Sequence, residues 1–193
     1  YFQHKTGFMH TVIVIGGGIS GLQAGVMTAK AGEDTLVLDT GESLVHNTAN
    51  IQNLVGHESV SGKALLKKGR EKLEDFNGEL REERVEKVER TDEGFLVETE
   101  EDDYNSEYVV IASAGIHDYL ELDLEFEEGA EGPYWMDEHI VTDENNRAAE
   151  GVYAAGLARL WEYQVAVALG DGAKAAVDLL SDKYGEPYQD HDT

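Results

Sequence analysis

The sequence contains no cysteine. No disulfide can staple it, no thiolate can bind a metal, and no dithiol can relay electrons. Proline occurs only twice, at 133 and 187, so few positions are barred from regular elements. Basic residues are scarce: 15 Lys and Arg stand against 40 Asp and Glu, a formal charge of −25. Such a surface repels nucleic acid and anionic membranes, so neither is expected as a partner. No apolar run approaches the ~18 residues of a membrane span, and no signal peptide is visible. The expectation is a cytoplasmic protein.

The acids are spread along the chain, with local clusters such as EEDD at 100–103. An acidic tail therefore does not account for the charge. Two readings remain: adaptation to high salt, as in a halophile, and an acidic partner-binding face. The interleaving of acids with ordinary amphipathic patterns favours the first, which implies that stability falls as salt is removed. The 193 residues suffice for one domain with a sizeable core, or one domain and a small appendage. The leading YFQHKTGF reads as a tag remnant, with Met9 as the natural start.

TVIVI at 11–15 is a β-branched run, as expected of a strand buried on both faces. Three glycines follow, then a helix through about Lys30 that Gly32 ends. TLVL at 35–38 forms a second buried strand closing on Asp39. Ser61 is placed to cap a helix over about 62–76, ended by Asn77-Gly78. Residues 79–111 alternate in the β manner: ELREERVEKVER as one strand, a DEG turn, FLVETE, a turn at EDDYNS, and a buried strand at 108–112. Residues 116–139 resist assignment. Beyond them come a short strand, a turn at Glu144-Asn145-Asn146 and an apolar strand ending at Gly156. A last helix is expected from about Glu162 to Asp182, with Val165, Leu169, Ala173, Ala176, Val177 and Leu180 as its apolar face. The expected domain is 9–184, with a frayed tail at 185–193.

Gly16-x-Gly18-x-x-Gly21 has dinucleotide spacing, and its context is right: a buried strand before it and a helix after it. Gly16 permits the tight turn. Gly18 lets the backbone approach a pyrophosphate, and Gly21 lets the helix pack close to the sheet. The helix N-terminus offers unpaired N–H groups and a positive dipole end. Asp39, 23 positions after Gly16, can accept hydrogen bonds from ribose hydroxyls. No GK[ST] follows the glycines, which disfavours a P-loop. The ligand is a dinucleotide, either NAD or FAD.

The order of elements resembles the FAD-binding domain of thioredoxin reductase-like flavoproteins. The segments carrying the resemblance are VIVIGGGISGLQAGVMTAKAGEDTLVLD, NIQNLVGHESVSGKALLKKGREKLEDFNGE, EYVVIASAG and TDENNRAAEGVYAAGLARLWEYQVAVALGDGAKAAVDLL. It implies an α/β, Rossmann-like FAD-binding domain with a parallel central sheet plus a β-meander, and FAD as cofactor. It places Gly16, Gly18, Ile19, Ser20 and Gly21, then Asp39 and Thr40, at the cofactor. Asn53 matches an asparagine near the flavin ring. Val85, Ala112, Ala114, Gly156 and Leu157 follow. Gln164 and Val165 match the helix N-terminus facing the flavin pyrimidine, although Gln164 can equally be a simple cap.

Three departures qualify the resemblance. The family inserts an NAD(P)H-binding domain, with a second glycine fingerprint and usually Cys-x-x-Cys, where only residues 116–140 stand here. The chain resembles the FAD half alone, its motifs 9–115 and 140–184 joined by the short crossover 116–139. Without a dithiol it is not expected to act as a thioredoxin reductase. Leu157 stands where the family has an aspartate on the ribityl chain, a loss of about 1.5–3 kcal/mol, or ten- to a hundredfold in affinity. Ala114 stands in place of a glycine.

The remaining candidates are weaker. The histidines show no metal-ligand spacing, so no metal site is expected. His46 and His57 lie in the loop near the expected flavin and are candidate catalytic groups, though surface positions are the simpler reading. Tyr134, Trp135 and Trp161 could cover the flavin, form a subunit interface or merely pack. The functional expectation is a single-domain FAD-dependent oxidoreductase, drawing electrons from a separate protein or a small-molecule reductant and forming a homodimer. A non-enzymatic FAD-binding sensor or split-reductase subunit is the first alternative, and an NAD-binding protein is the second.

Overall fold

The computed structural model of the chain describes residues 9–115, 117–128 and 138–190. The expected tag remnant and the aromatic pair Tyr134 and Trp135 lie outside the described residues. The chain begins with β1 (Met9–Ile15), α1 (Ile19–Lys30) and β2 (Thr35–Asp39). A short 3-10 turn at Leu44–Asn47 leads to α2 (Gly62–Asp75). Its cap is as predicted: Ser61 Oγ accepts the Ala64 N–H at 3.2 Å. Then come β3 (Glu79–Glu82), β4 (Val85–Thr91), β5 (Gly94–Thr99) and β6 (Asp103–Ile111). β7 (Leu120–Glu121), β8 (Phe126–Glu128), β9 (Glu138–Ile140), β10 (Arg147–Ala149), β11 (Val152–Ala154) and α3 (Val165–Tyr184) complete the described elements.

Five strands run parallel in the order β3-β2-β1-β6-β11. Alternation along β1 divides the core. Val12 and Val14 face the helical layer with Val37, Val110, Leu73 and Leu179. Ile13 and Ile15 face the opposite layer with Leu36, Leu38, Phe95 and Val97. That layer is the meander: β4 and β5 pair antiparallel, β5 pairs antiparallel with β6, and β7 runs beside β4. Burial on both faces explains why β1, β2 and the end of β6 read as continuous apolar runs.

Four expectations need correction. The turn placed at EDDYNS is confined to its start, because Asp103 to Ser106 already belong to β6. Tyr104 and Ser106 are buried there, and one edge of β6 is shared, Asp103–Ser106 with β5 and Val109–Ile111 with β11. The strand ELREERVEKVER is two strands, since β3 pairs with β2 while β4 pairs with β5. The apolar strand ending at Gly156 is a hairpin, β10 and β11, closing at Glu150-Gly151. Finally, α3 starts at Val165 and buries Asp171, Gly172, Ala175, Ala176, Leu179 and Leu180. Of the predicted apolar face, Ala176 and Leu180 are buried, whereas Val165, Leu169, Ala173 and Val177 are only half-buried. Past α3, residues 185–190 lie back on the helix and on α1, with the Tyr188 N–H donating to Ser181 Oγ at 2.9 Å and Lys30 pairing with Asp190 at 2.8 Å; residues 191–193 of the expected tail lie outside the described residues.

Candidate functional site

At the C-terminal ends of the parallel strands lies a cleft of about 890 Å³, within the range of cofactor sites. Its first wall is the glycine turn. Gly16 has φ +103, and a Cβ there would fall 2.8 Å from the backbone of Ala112 and Ser113. A Cβ on Gly21 would sit 1.8 Å from the Gly16 carbonyl oxygen, so α1 can only start this close to β1 with glycine at 21. Gly18 differs: a Cβ there would meet only Ser43 Oγ, at 3.5 Å. Gly18 is the N-cap of α1, the helix has no side-chain cap, and its first turn carries no acid. Its N-terminal dipole therefore faces the cleft without a compensating carboxylate in that turn.

Asp39 closes this wall. Its buried carboxylate accepts the Gly17 N–H at 3.1 Å through Oδ1 and Arg70 Nη2 at 3.0 Å through Oδ2. The opposite wall is a second turn. Gly156, at φ +63, packs directly on Ser20 of α1, where a Cβ would stand 2.3 Å from Ser20 Oγ. The Gly156 N–H donates to Asp171 Oδ2 at 2.7 Å. The buried Asp171 also accepts Asn146 Nδ2 at 2.9 Å and Arg159 Nη1 at 2.5 Å through Oδ1. The N-terminus of α3 completes this wall. Gln164 occupies its N-cap without capping it, and its Oε1 instead accepts Asn53 Nδ2 at 2.9 Å from the loop after β2.

The predicted positions converge. Gly16, Gly18, Ile19 and Ser20 line the cleft from the first turn, Asp39 and Thr40 from the end of β2, and Asn53 from the loop. Val85 lines it from β4, Ala112 and Ala114 from the chain past β6, and Gly156, Leu157, Gln164 and Val165 from the last segment. Gly21 stands behind the wall, as its close contact with Gly16 requires. His46 and His57 are not among the lining residues. Among the described residues no group of three or more His, Cys, Asp and Glu could hold a metal. No described helix is long and apolar enough to cross a membrane.

A family model described as glucose inhibited division protein A matches residues 11–82. A thioredoxin reductase of Bacillus subtilis (strain 168) is 29% identical over 126 residues, covering 64% of this chain and 40% of that protein. The chain thus spans less than half the length of that curated relative. The thioredoxin reductase from Gloeobacter violaceus superposes with a TM-score of 0.80 at 16% identity, covering 96% of this chain and 99% of that one. The T. acidophilum thioredoxin reductase gives 0.74 at 18% identity, over 91% and 99%. The chain has the FAD-binding fold of the thioredoxin reductase-like flavoproteins.

Within this thioredoxin reductase-like fold, several site groups escape the sequence reading. Ser113 and Tyr119 both line the cleft, with Ser113 Oγ and Tyr119 OH 2.6 Å apart. Burial pushes the Tyr119 phenol up to about 12 against the smaller opposing effect of the Ser113 hydrogen bond. Behind them His117 is buried, its Nε2 3.3 Å from the Ser113 carbonyl oxygen and its backbone N–H donating to Glu138 Oε1 at 3.1 Å. Burial lowers the His117 pKa, only partly opposed by the Ser113 carbonyl and Glu138. Ser113 lies inside the EYVVIASAG segment that carries the resemblance, which is a local signal for it. Arg70 and Tyr119 carry no local signal, since only the fold brings them in.

Proposed function

We propose that this chain is a FAD-binding flavoprotein domain of an oxidoreductase. The observation that carries the reading is the convergence of two uncapped helix N-termini, α1 and α3, with Asp39 on one cleft. The donor set fits FAD. Gly18 leaves room for a pyrophosphate to approach the backbone where a larger residue would stand in the way. The N–H groups at the start of α1 would take the phosphate oxygens. Asp39 would accept the ribose hydroxyls of the adenosine, and Val85 would flank the base. Asn53, Gln164 and the start of α3 would lie at the flavin end, where the helix dipole favours negative charge. Leu157 would offer the ribityl chain only its backbone, and the methyl of Ala114 would stand close to the cofactor.

Bound FAD would supply the redox chemistry, and the chain would bind, orient and shield it. No cysteine of this chain can pass electrons onward; with only the short crossover where the resemblance would place an NAD(P)H-binding domain, the electrons come from a separate protein or a small-molecule reductant. Burial holds the Tyr119 phenol in its neutral form well above neutral pH, with its OH 2.6 Å from Ser113 Oγ. The homodimer and the salt adaptation belong to the same proposal. Dense carboxylates such as EEDD at 100–103 support the second, with stability expected to fall as salt is removed.

The test is the absorption spectrum of the purified protein with added FAD. Retained, shifted flavin bands after gel filtration are expected; no retained flavin overturns the reading. Anaerobic titration with NADH and NADPH then separates an enzyme from a non-catalytic module, since bound flavin that neither reduces favours the sensor or split-reductase reading.

A further inference from the structure

The Asp39 carboxylate is only 6% exposed, yet it lines the cleft. Both of its oxygens are anchored. Oδ1 accepts the Gly17 N–H from the glycine turn. Oδ2 accepts Arg70 Nη2, which reaches in from α2, 31 positions along the chain. The other terminal nitrogen of Arg70 donates to Glu82 Oε1 at 3.1 Å on β3. The packing is tight on the turn side: a Cβ on Gly17 would fall 2.6 Å from Asp39 Cγ. Arg70 itself is not among the cleft-lining residues, so anything it does to a ligand passes through Asp39.

We propose that Arg70 is a positioning residue for ribose recognition: it fixes the plane of the Asp39 carboxylate so that both oxygens accept the vicinal hydroxyls of an adenosine ribose. The inference rests on the FAD reading and deepens it. A carboxylate held by one hydrogen bond still swings about its Cβ–Cγ bond. A second anchor on the other oxygen stops the swing, and the planar guanidinium fork is the donor best shaped to do so. Each remaining lone pair is then available to one hydroxyl of a vicinal diol. The cluster of Asp39, Arg70 and Glu82 keeps one net negative charge, which favours hydroxyl donors over a 2′-phosphate.

The test is calorimetry with FAD and with its analogue lacking the 2′- and 3′-hydroxyls of the adenosine. Wild type should bind FAD at least about tenfold more tightly than the analogue, the effect of hydrogen bonds to a charged acceptor. Arg70→Met should bring FAD down to the affinity of the analogue and leave the analogue within about twofold, the size of a minor surface effect. In an Asp39→Asn background Arg70→Met should change nothing further. Equal weakening of both ligands would mean a merely structural role and overturn the proposal, as would an unchanged ratio. Should Arg70→Met not fold, Arg70→Lys replaces it: a ratio between wild type and unity supports positioning, and the full wild-type ratio refutes it. FAD binding with an unchanged ratio overturns this inference alone. Wild type that binds no FAD overturns the cofactor reading and this inference with it.

Discussion

Two turns meet across the cleft and are held by different means. The first, Gly16 to Gly21, closes mainly by the absence of side chains at its two ends, where a Cβ on Gly16 or Gly21 would strike backbone, and the buried Asp39 carboxylate takes only the Gly17 N–H from it. The second, at Gly156, closes on a buried side chain, the Asp171 carboxylate shared by Gly156, Asn146 and Arg159. Both turns combine a close glycine with a buried carboxylate, but the first leans on steric closeness at two glycines and the second on one carboxylate with three donors. They fail differently, since a steric turn breaks on addition and an electrostatic turn breaks on removal.

The largest expected effect follows from removal. Asp171→Ala leaves the Gly156 N–H, Asn146 Nδ2 and the Arg159 guanidinium without their acceptor, a loss of about 3–5 kcal/mol. Thermal unfolding should show it as a large fall in Tm, with Asp171→Asn falling less. A neutral Asp171→Ala would mean the second turn holds itself. Addition comes next. Gly21→Ala should cost about 1–3 kcal/mol through overpacking. Gly18→Ala should change stability by less than about 0.5 kcal/mol, as at an open surface position, while weakening FAD binding. Parallel melts and calorimetry separate the two, and equal destabilisation would erase the distinction between fold glycine and ligand glycine.

The smallest effect sharpens the contrast, because the steric turn has a side-chain brace behind it. Gly16 packs on the backbone of Ala112 and Ser113, and His117 contacts the Ser113 carbonyl. Burial holds His117 below its ordinary value of 6.5, so the folded chain prefers it neutral and the unfolded chain is protonated first as pH falls. Its contribution is complete above about pH 6.5 and is lost as pH falls from there through the lower folded value. Denaturant titrations across that range should show a slope that His117→Asn flattens. An unchanged slope would release His117 from the brace. At the other end, Tyr119 is raised to about 12, so its share of stability is full below about pH 10 and is lost as pH rises towards 12.

The same contrast explains what the sequence discloses. The first wall is legible because glycine spacing, a β-branched run and a terminal acid are local signals with few alternative meanings. Ser61 is legible for the same reason. The second wall is legible only in part: Gly156, Leu157, Gln164 and Val165 stand out, but the acid that holds them together does not. Asp171 sits on a helix face where an apolar pattern looks for leucine and valine, and it is buried only because Arg159 and Asn146 arrive from elsewhere. Arg70 looks like one more charge on an exposed helix until α2 is laid beside β2. Residues Asp103 to Ser106 are polar, so they read as a turn. They form a strand because the pleat sends Tyr104 and Ser106 inward. Local chemistry announces itself, whereas chemistry assembled across the fold does not.

The divided edge of β6 sets the order in which the chain can become a protein. β1 finds β2 within the first 39 residues, but its other edge waits for Asn105 to Ile111. β6 in turn has its second partner complete only when Val152 to Ala154 arrive. On a growing chain, the glycine turn is made early and stands beside an unsatisfied strand edge for about 70 residues of synthesis, from Asp39 to Ile111. Pairings of such long range are slow to form. The pairing of β11 on β6 is therefore the last to close, and until β6 itself arrives the nascent chain displays the apolar edge of β1 to whatever else is nearby.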